Sequence, residues 1–387
     1  MKRIIVRLLL WIVGCWLVIG ALLEPVVPGG WITVVAAAIV ATAPLAVLIR
    51  GFTRSRYRTA FTRLWILRPF WYVQLLLPLL AISGLLGALA GLPFGLGGYA
   101  GRITMAVAAV VLVAIGLWGY IGARRLVVRS IDLSFDTLPA GLDGLRIVQL
   151  SDLHVGPQTS RRYLARIAAA VREARPDLIA ITGDQVDDYA GDVDHFVAAF
   201  RTLSATHGVF VIAGNHDVYA GWDAVRRGLE EGGFTVLVND AVALERNGAR
   251  LWIAGTGDPA GGSWRRGAAS GVGPDINRTI ARVKPGEFVV ALAHNPVLWP
   301  TLAKRGVDLT LSGHTHYGQF SIPHLGWSLA SPFMEHAMGT YRQGGSVLYI
   351  NPGTNYWGVP FRIGALPEVT VITLRRGKNA GRRERVA

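Results

Sequence analysis

Cysteine is nearly missing from this chain: Cys15 is the single thiol in 387 residues. One thiol excludes an internal disulfide framework and any zinc site built on thiolates. Acidic residues are missing from one end, where residues 1–130 hold Glu24 alone against 13 Lys and Arg. Charge is low throughout, at 17% of residues, while 51% are hydrophobic. That balance excludes a disordered polyelectrolyte, which needs low hydrophobicity. It also falls short of the charge content of an ordinary soluble domain, about a quarter.

What charge there is lies unevenly. Of the net +14, residues 1–130 carry +12, residues 131–374 carry −3 and residues 375–387 carry +5. A uniformly basic nucleic-acid binder does not have this profile.

The basic third also contains four apolar runs, at about 4–23, 31–49, 71–92 and 103–121. Each approaches the ~20 residues that cross a ~30 Å hydrocarbon layer as a helix. A cleaved signal peptide accounts for the first run alone, not for the other three. Twelve basic residues fall on one side of the runs, at the N-terminus, in the loop 50–70 and just after the fourth run. Only Arg102 falls on the other. Cytoplasmic loops collect Lys and Arg, so four crossings place everything after residue 122 in the cytoplasm. The expected setting is a bacterial plasma membrane. Cys15 ends a lipobox-like Ile12-Val13-Gly14-Cys15, but the apolar run continues past it, which reads as a packed membrane cysteine.

From about residue 125 the pattern becomes α/β. Short β-rich runs appear at 145–150, 177–182, 208–214, 251–255, 287–293 and 307–313, with helical patterns at 161–174 and 194–203. Continuous apolar strands separated by helices predict sheets covered by helices. Residues 256–275 form a long glycine-rich loop.

The strand ends carry the chemistry. The runs are followed in turn by Ser151-Asp152-Leu153-His154, Gly183-Asp184, Gly214-Asn215-His216-Asp217, His294-Asn295 and Gly313-His314-Thr315-His316. Open α/β sheets bind ligands at such carboxyl ends. Each motif alone is a common turn; five in order are not. Asp, His and Asn without thiolates suit divalent cations such as Mn, Fe or Zn. Two such ions ~3.5–4 Å apart can stabilise both the attacking and the leaving oxygen of a phosphoryl displacement.

In this ordered set the chain resembles the calcineurin-like metallophosphoesterases, in the branch with N-terminal membrane segments. The resemblance spans about 145–375 and implies a four-layer α-β-β-α sandwich after a four-helix transmembrane region. It divides the chain into a membrane region at 1–123, a phosphoesterase domain at 124–374 and a basic tail at 375–387. It implies two divalent metals, the first on Asp152, His154 and His316, the second on Asn215, His294 and His314, with Asp184 bridging. It gives His216 the role of contacting the phosphate and protonating the leaving group, with Asp217 orienting that ring. It extends to Asn351-Pro352-Gly353-Thr354. Close relatives often have His-Gly-Gly-Gln where this chain has His316-Tyr317-Gly318-Gln319, so Tyr317 becomes a candidate substrate contact.

The expected function is hydrolysis of a phosphate ester, a phosphodiester or pyrophosphate, free or lipid-linked, by a metal-bridging hydroxide. Arg265 and Arg266 in the long loop are further candidate substrate contacts, with a solvated loop tip as the plainer reading. The apolar segment 326–338 suits either core packing or contact with lipid. A non-catalytic scaffold or sensor would show lost ligands, and none is lost. A nuclease would want a basic groove, which the −3 balance of 131–374 does not offer.

Overall fold

A computed structural model describes residues 2–47, 61–262, 271–377 and 383–386. The chain divides into two units, Met1–Trp118 and Gly119–Ala387.

The first unit is helical: α1 (Lys2–Leu23), α2 (Trp31–Thr42), α3 (Arg68–Gly91) and α4 (Gly97–Gly122). A π-helical stretch, Thr62–Leu67, leads into α3. Ile12, Cys15, Ile19 and Leu22 recur at helical spacing on α1 and bury one face with Leu77, Ala81 and Met105. Where α3 meets α4, Gly87 keeps the backbones close, because a Cβ there would collide with Thr104. The stretches Thr62–Phe94 and Gly97–Gly122 are long and apolar enough to cross a membrane. Leu9–Leu23 and Trp31–Val47 are apolar but shorter. Of the run 31–49 the described helical part reaches Val47, and residues 48–60 lie outside the described part.

The second unit is built on two mixed sheets. Its strands are β1 (Val127–Phe135), β2 (Arg146–Leu150), β3 (Leu178–Ile181), β4 (Val209–Val211), β5 (Thr235–Val236), β6 (Asp240–Arg246), β7 (Ala249–Gly255) and β8 (Phe288–Leu292). They continue with β9 (Leu309–Ser312), β10 (Ser321–Ile322), β11 (Trp327–Ser328), β12 (Gly339–Gln343), β13 (Ser346–Ile350), β14 (Glu368–Arg376) and β15 (Arg383–Val386). One sheet runs β15-β1-β14-β2-β3-β4-β5, the other β12-β13-β9-β8-β7-β6, and β10 and β11 form a small hairpin. Strands β2, β3, β4 and β5 are mutually parallel, as are β7, β8, β9 and β13. Parallel neighbours need crossover connections. Helices α5 (Arg161–Glu173), α6 (Val193–Phe200) and α7 (Asn215–Glu231) supply them in the first sheet.

Burial follows the layers. Ile131, Ile147, Leu178 and Ile212 from one sheet meet Leu251, Phe288, Leu309 and Val347 from the other between the sheets. Leu164, Ile167, Phe196 and Val225 of the three helices pack on the outer face of the first sheet. Outside the second sheet, Trp252, Val289 and Ala291 pack against Leu302 of α9 (Trp299–Lys304), with Ile276 of α8 (Ile276–Thr279) at the edge. The carboxyl ends of β2, β3, β4, β8 and β9 thus open toward common ground from both sheets.

Candidate metal centre

Each expected ligand stands just past one of these strand ends. Asp152 and His154 follow β2, Asp184 follows β3, and Asn215 opens α7 after β4. His294 follows β8, and His314 and His316 follow β9. The loops are locked to one another by main-chain bonds. Asp152 N–H donates to Gly183 O at 3.0 Å, His154 N–H to Asp184 O at 3.0 Å and Gly313 N–H to His294 O at 3.0 Å. Gly214 is required where it sits, since a Cβ would collide with the Asp184 carboxylate.

Five of these residues, Asp152, His154, Asp184, His314 and His316, have left-handed backbone, with φ from 41 to 68°. Such conformations cost ~1–3 kcal/mol each in a non-glycine residue and persist where the surroundings impose them. They turn the side chains inward instead of along the strand.

The side chains converge. His154 Nε2 and His316 Nε2 are 3.0 Å apart, and His316 Nε2 lies 3.2 Å from Asp152 Oδ1. Asp184 Oδ2 is 3.6 Å from His154 Nε2 and 3.3 Å from His294 Nε2, so one carboxylate faces both halves of the cluster. Asn215 Oδ1 is 3.2 Å from His294 Nε2 and 2.7 Å from His314 Nδ1. The groups Asp152, His154, His316 and Asp152, Asp184, His294 each bring ligand atoms within 4.8 Å of one another.

The donor chemistry fits a divalent cation. His294 Nδ1 donates to the Thr182 carbonyl at 2.8 Å, which leaves Nε2 facing the Asp184 and Asn215 oxygens. A proton or a metal cation must lie between Nε2 and those oxygens, and the second-nitrogen bond is how metal-binding imidazoles are oriented. Burial pushes His294 down, but the Asp184 and Asp152 charges prevail and hold it well above its ordinary value, so a metal ion would displace a proton there. The other imidazoles differ. Burial pushes His154, His316 and His314 below the ordinary imidazole range, His314 to about 4, which favours the neutral ligand form. Burial raises Asp152 to about 6. Asp184 is held well below the carboxylate range: burial acts against this, but His294 and His216 outweigh it.

His216 stands at the rim of the cluster, with a ring nitrogen within 4.8 Å of ligand atoms of His154 and Asp184. Its main-chain N–H donates to Asp184 Oδ1 at 2.8 Å, and its Nδ1 donates to the Asp187 carbonyl at 2.7 Å. Burial pushes this imidazole down, yet the Asp184 and Asp187 charges prevail and hold it above its ordinary value.

Two expectations change. Asp217 does not orient His216: its carboxylate accepts N–H bonds from Gly214 at 2.9 Å and Val186 at 3.1 Å, binding the start of α7 to the β3 loop. The contact on the ring comes from Asp187 instead. Tyr317 does not line the centre either. Its left-handed backbone turns the ring into an apolar cluster with Trp299, Leu348 and Ile350, where its hydroxyl donates to Ile350 O at 2.6 Å. Arg265 and Arg266 lie outside the described residues.

The sequence reading passed over three neighbours. Arg362 is fully buried, and its guanidinium donates to His316 Nδ1 at 2.8 Å and to the carbonyls of His316, Pro352, Ala365 and Asn355. No local pattern marks it, because its partners are backbone atoms far along the chain. Asp187 was visible only as an acid near Asp184. Asp258 had a signal: Thr256-Gly257-Asp258 after β7 repeats the Thr182-Gly183-Asp184 that follows β3. Asp258 is 2% exposed, and burial raises it to about 6. Oδ1 accepts the Ala260 N–H at 2.8 Å, while Oδ2 has no hydrogen-bond partner among the described residues.

Facing mixed sheets that deliver carboxylates and imidazoles from their strand ends to one buried point define a metal-dependent hydrolase. Residues 145–318 match the calcineurin-like phosphoesterase family. The metallophosphoesterase YkuE of Bacillus subtilis is 34% identical over 280 residues, which cover 70% of this chain and 94% of that protein. The transmembrane protein with metallophosphoesterase domain of Danio rerio is 31% identical over 289 residues, covering 71% of this chain and 64% of its own length. Among solved structures, the SoxB sulfate thiohydrolase of Thermus thermophilus in complex with glycerol aligns at 16% identity with a TM-score of 0.42, covering 64% of this chain and 57% of that one. The chain belongs to the calcineurin-like metallophosphoesterase family and is a metal-dependent phosphoester hydrolase.

Proposed function

We propose that this protein is a membrane-anchored phosphoesterase with a dinuclear centre, acting on a phosphodiester or pyrophosphate. Asp152, His154 and His316 would hold one divalent ion and Asn215, His294 and His314 the other, with Asp184 shared. The ions, when bound, supply Lewis acidity toward phosphoryl oxygens and lower the pKa of bound water. His216 is the general acid. A carbonyl can only accept, so Nδ1 carries a proton toward Asp187 and Nε2 is the nitrogen that serves the departing oxygen. The ring's raised proton affinity suits that role near neutral pH. Asp187 orients the ring and Asp217 fixes the helix that carries it.

The observation that carries this reading is Asp184, whose Oδ2 faces His154 on one side and His294 on the other. The distribution of basic residues supports four helical crossings with the hydrolase in the cytoplasm, and the proposed division is a membrane region at 1–123, the hydrolase at 124–374 and a basic tail at 375–387. The test uses the full chain purified in detergent, with bound metal counted by mass spectrometry beside hydrolysis of phosphate mono- and diesters. Asp184→Ala should lose metal and turnover together. His216→Ala should keep its metal and lose ~100-fold or more in kcat on unactivated esters. Wild-type turnover by His216→Ala on such esters would remove His216 from the reaction.

A further inference from the structure

After Gly122, eight large apolar side chains are exposed among the described residues, and five of them are Leu325, Trp327, Leu329, Phe333 and Trp357. Phe333 is 86% exposed and Leu325 67%. A soluble surface does carry single apolar residues, but contiguous groups mark binding sites.

Leu325, Trp327, Leu329 and Phe333 lie close together in sequence, and Trp357 joins this segment through Gln319 and reaches the reaction centre. The Trp357 ring meets His216 edge to face, with centroids 5.6 Å apart. The Trp357 main chain is held on both sides by Gln319: its N–H donates to Oε1 at 3.0 Å, and its carbonyl accepts from Nε2 at 3.0 Å. Next along the chain, Phe320 faces Trp327 at 6.3 Å, and its carbonyl accepts the Leu329 N–H at 2.9 Å. The strip thus runs from the general acid through Trp357 to the β10–β11 hairpin and on to Phe333.

The same loop bears on the occupant. Arg362 N–H, five residues past Trp357, donates to Gly119 O at 2.8 Å in the last turn of α4, an apolar helix long enough to cross a bilayer. A chain held in lipid through that helix meets membrane-resident molecules at high local concentration. Aromatic and aliphatic side chains on a loop are the groups that enter the interfacial layer.

We propose that this strip seats the hydrocarbon portion of a lipid phosphate ester, so that the phosphoryl group reaches His216 while the chain attached to its leaving oxygen lies along Trp357, Leu329 and Phe333. Water adds to phosphorus, the P–O bond to the lipid alcohol breaks, and that alcohol departs with the proton from His216. This rests on the phosphoesterase reading above and gives its substrate class.

The test reconstitutes the full chain, loaded with Mn, in phosphatidylcholine vesicles. The probes are two series, monoalkyl phosphates and methyl alkyl phosphodiesters from butyl to hexadecyl, with released alcohol measured by mass spectrometry. The hexadecyl-to-butyl ratio of kcat/KM should exceed ~10 in the wild type, since each buried methylene contributes to binding. That ratio should fall at least ~5-fold in Leu325→Ser/Phe333→Ser, whose sites are exposed enough to leave the fold intact, and in Trp357→Ala. A flat wild-type series, or a ratio unchanged in both variants, overturns the lipid assignment and leaves the phosphoesterase intact. Absence of hydrolysis in both series at full metal occupancy overturns the phosphoesterase reading as well. A flat series together with self-association that the double variant abolishes would assign the strip to a second copy of the chain.

Discussion

A ligand residue at a strand end can be read from sequence, because the apolar run before it announces the strand and the residue itself is chemically distinctive. The strand-end placement of Asp152, Asp184, Asn215, His294 and His316, as candidate ligands, was legible in this way. Arg362 was not: it follows no strand, and its partners are carbonyls of residues that the fold alone brings near. Its guanidinium is pulled down to about 10 by burial and so remains a cation at neutral pH. Four backbone carbonyls and the His316 ring depend on it. Arg362→Met fits the volume but leaves those buried acceptors without donors, at a cost of about 3–5 kcal/mol by analogy with broken buried charge networks. The expected outcome is a melting temperature lower by several degrees and fewer metal ions retained per chain through dialysis, because His316 loses its support. An unchanged metal count would show that Arg362 holds only the 352–365 loop.

At the scale of elements, the strands and covering helices follow from the apolar runs, whereas the ties between the two sheets do not. The start of β14 read only as part of a β-rich run. In the structure its Glu368, 1% exposed, accepts from Arg129 Nε of β1 at 2.5 Å, Tyr349 hydroxyl of β13 at 2.6 Å and Thr370 hydroxyl at 2.6 Å. One carboxylate therefore joins both sheets, and Glu368→Ala should destabilise by about 3–5 kcal/mol, read as a lower urea midpoint with an unchanged slope. Asp308, just before β9, makes a weaker tie, accepting from Val289 N–H at 2.9 Å and Thr137 hydroxyl at 3.0 Å. Burial raises its pKa above the ordinary carboxylate value, against those hydrogen bonds. The native state therefore holds this proton more tightly than the unfolded chain does, so its contribution to stability is present at low pH and is lost as pH rises through the raised value. The stability difference between wild type and Asp308→Asn should thus shift in favour of the Asn variant between pH 4 and pH 7, measured by urea unfolding at both.

At the scale of the whole molecule, hydropathy and charge report on different things. Hydropathy marked four apolar runs, and among the described residues two helices are long and apolar enough to cross a membrane, Thr62–Phe94 and Gly97–Gly122. Length alone leaves α1 and α2 open. Charge bears on what length leaves open, because cytoplasmic loops collect Lys and Arg. The loop 50–70 carries six arginines, from Arg50 to Arg68, and the residues after α4 carry Arg124, Arg125 and Arg129. An even number of crossings between these two groups would keep both on the same side, and α3 and α4 would supply it if both cross. The N-terminal Lys2, Arg3 and Arg7 share that side if α1 and α2 both cross or if neither does. A fluorescent protein fused after residue 387 should therefore glow in a bacterial host, while alkaline phosphatase at the same position stays inactive. A cysteine introduced between α1 and α2, at Gly29, should react with a membrane-impermeant maleimide from outside intact cells. Labelling only after the cells are permeabilised would mean that α1 and α2 do not both cross, leaving α3 and α4 as the anchor and the C-terminal reporter unchanged.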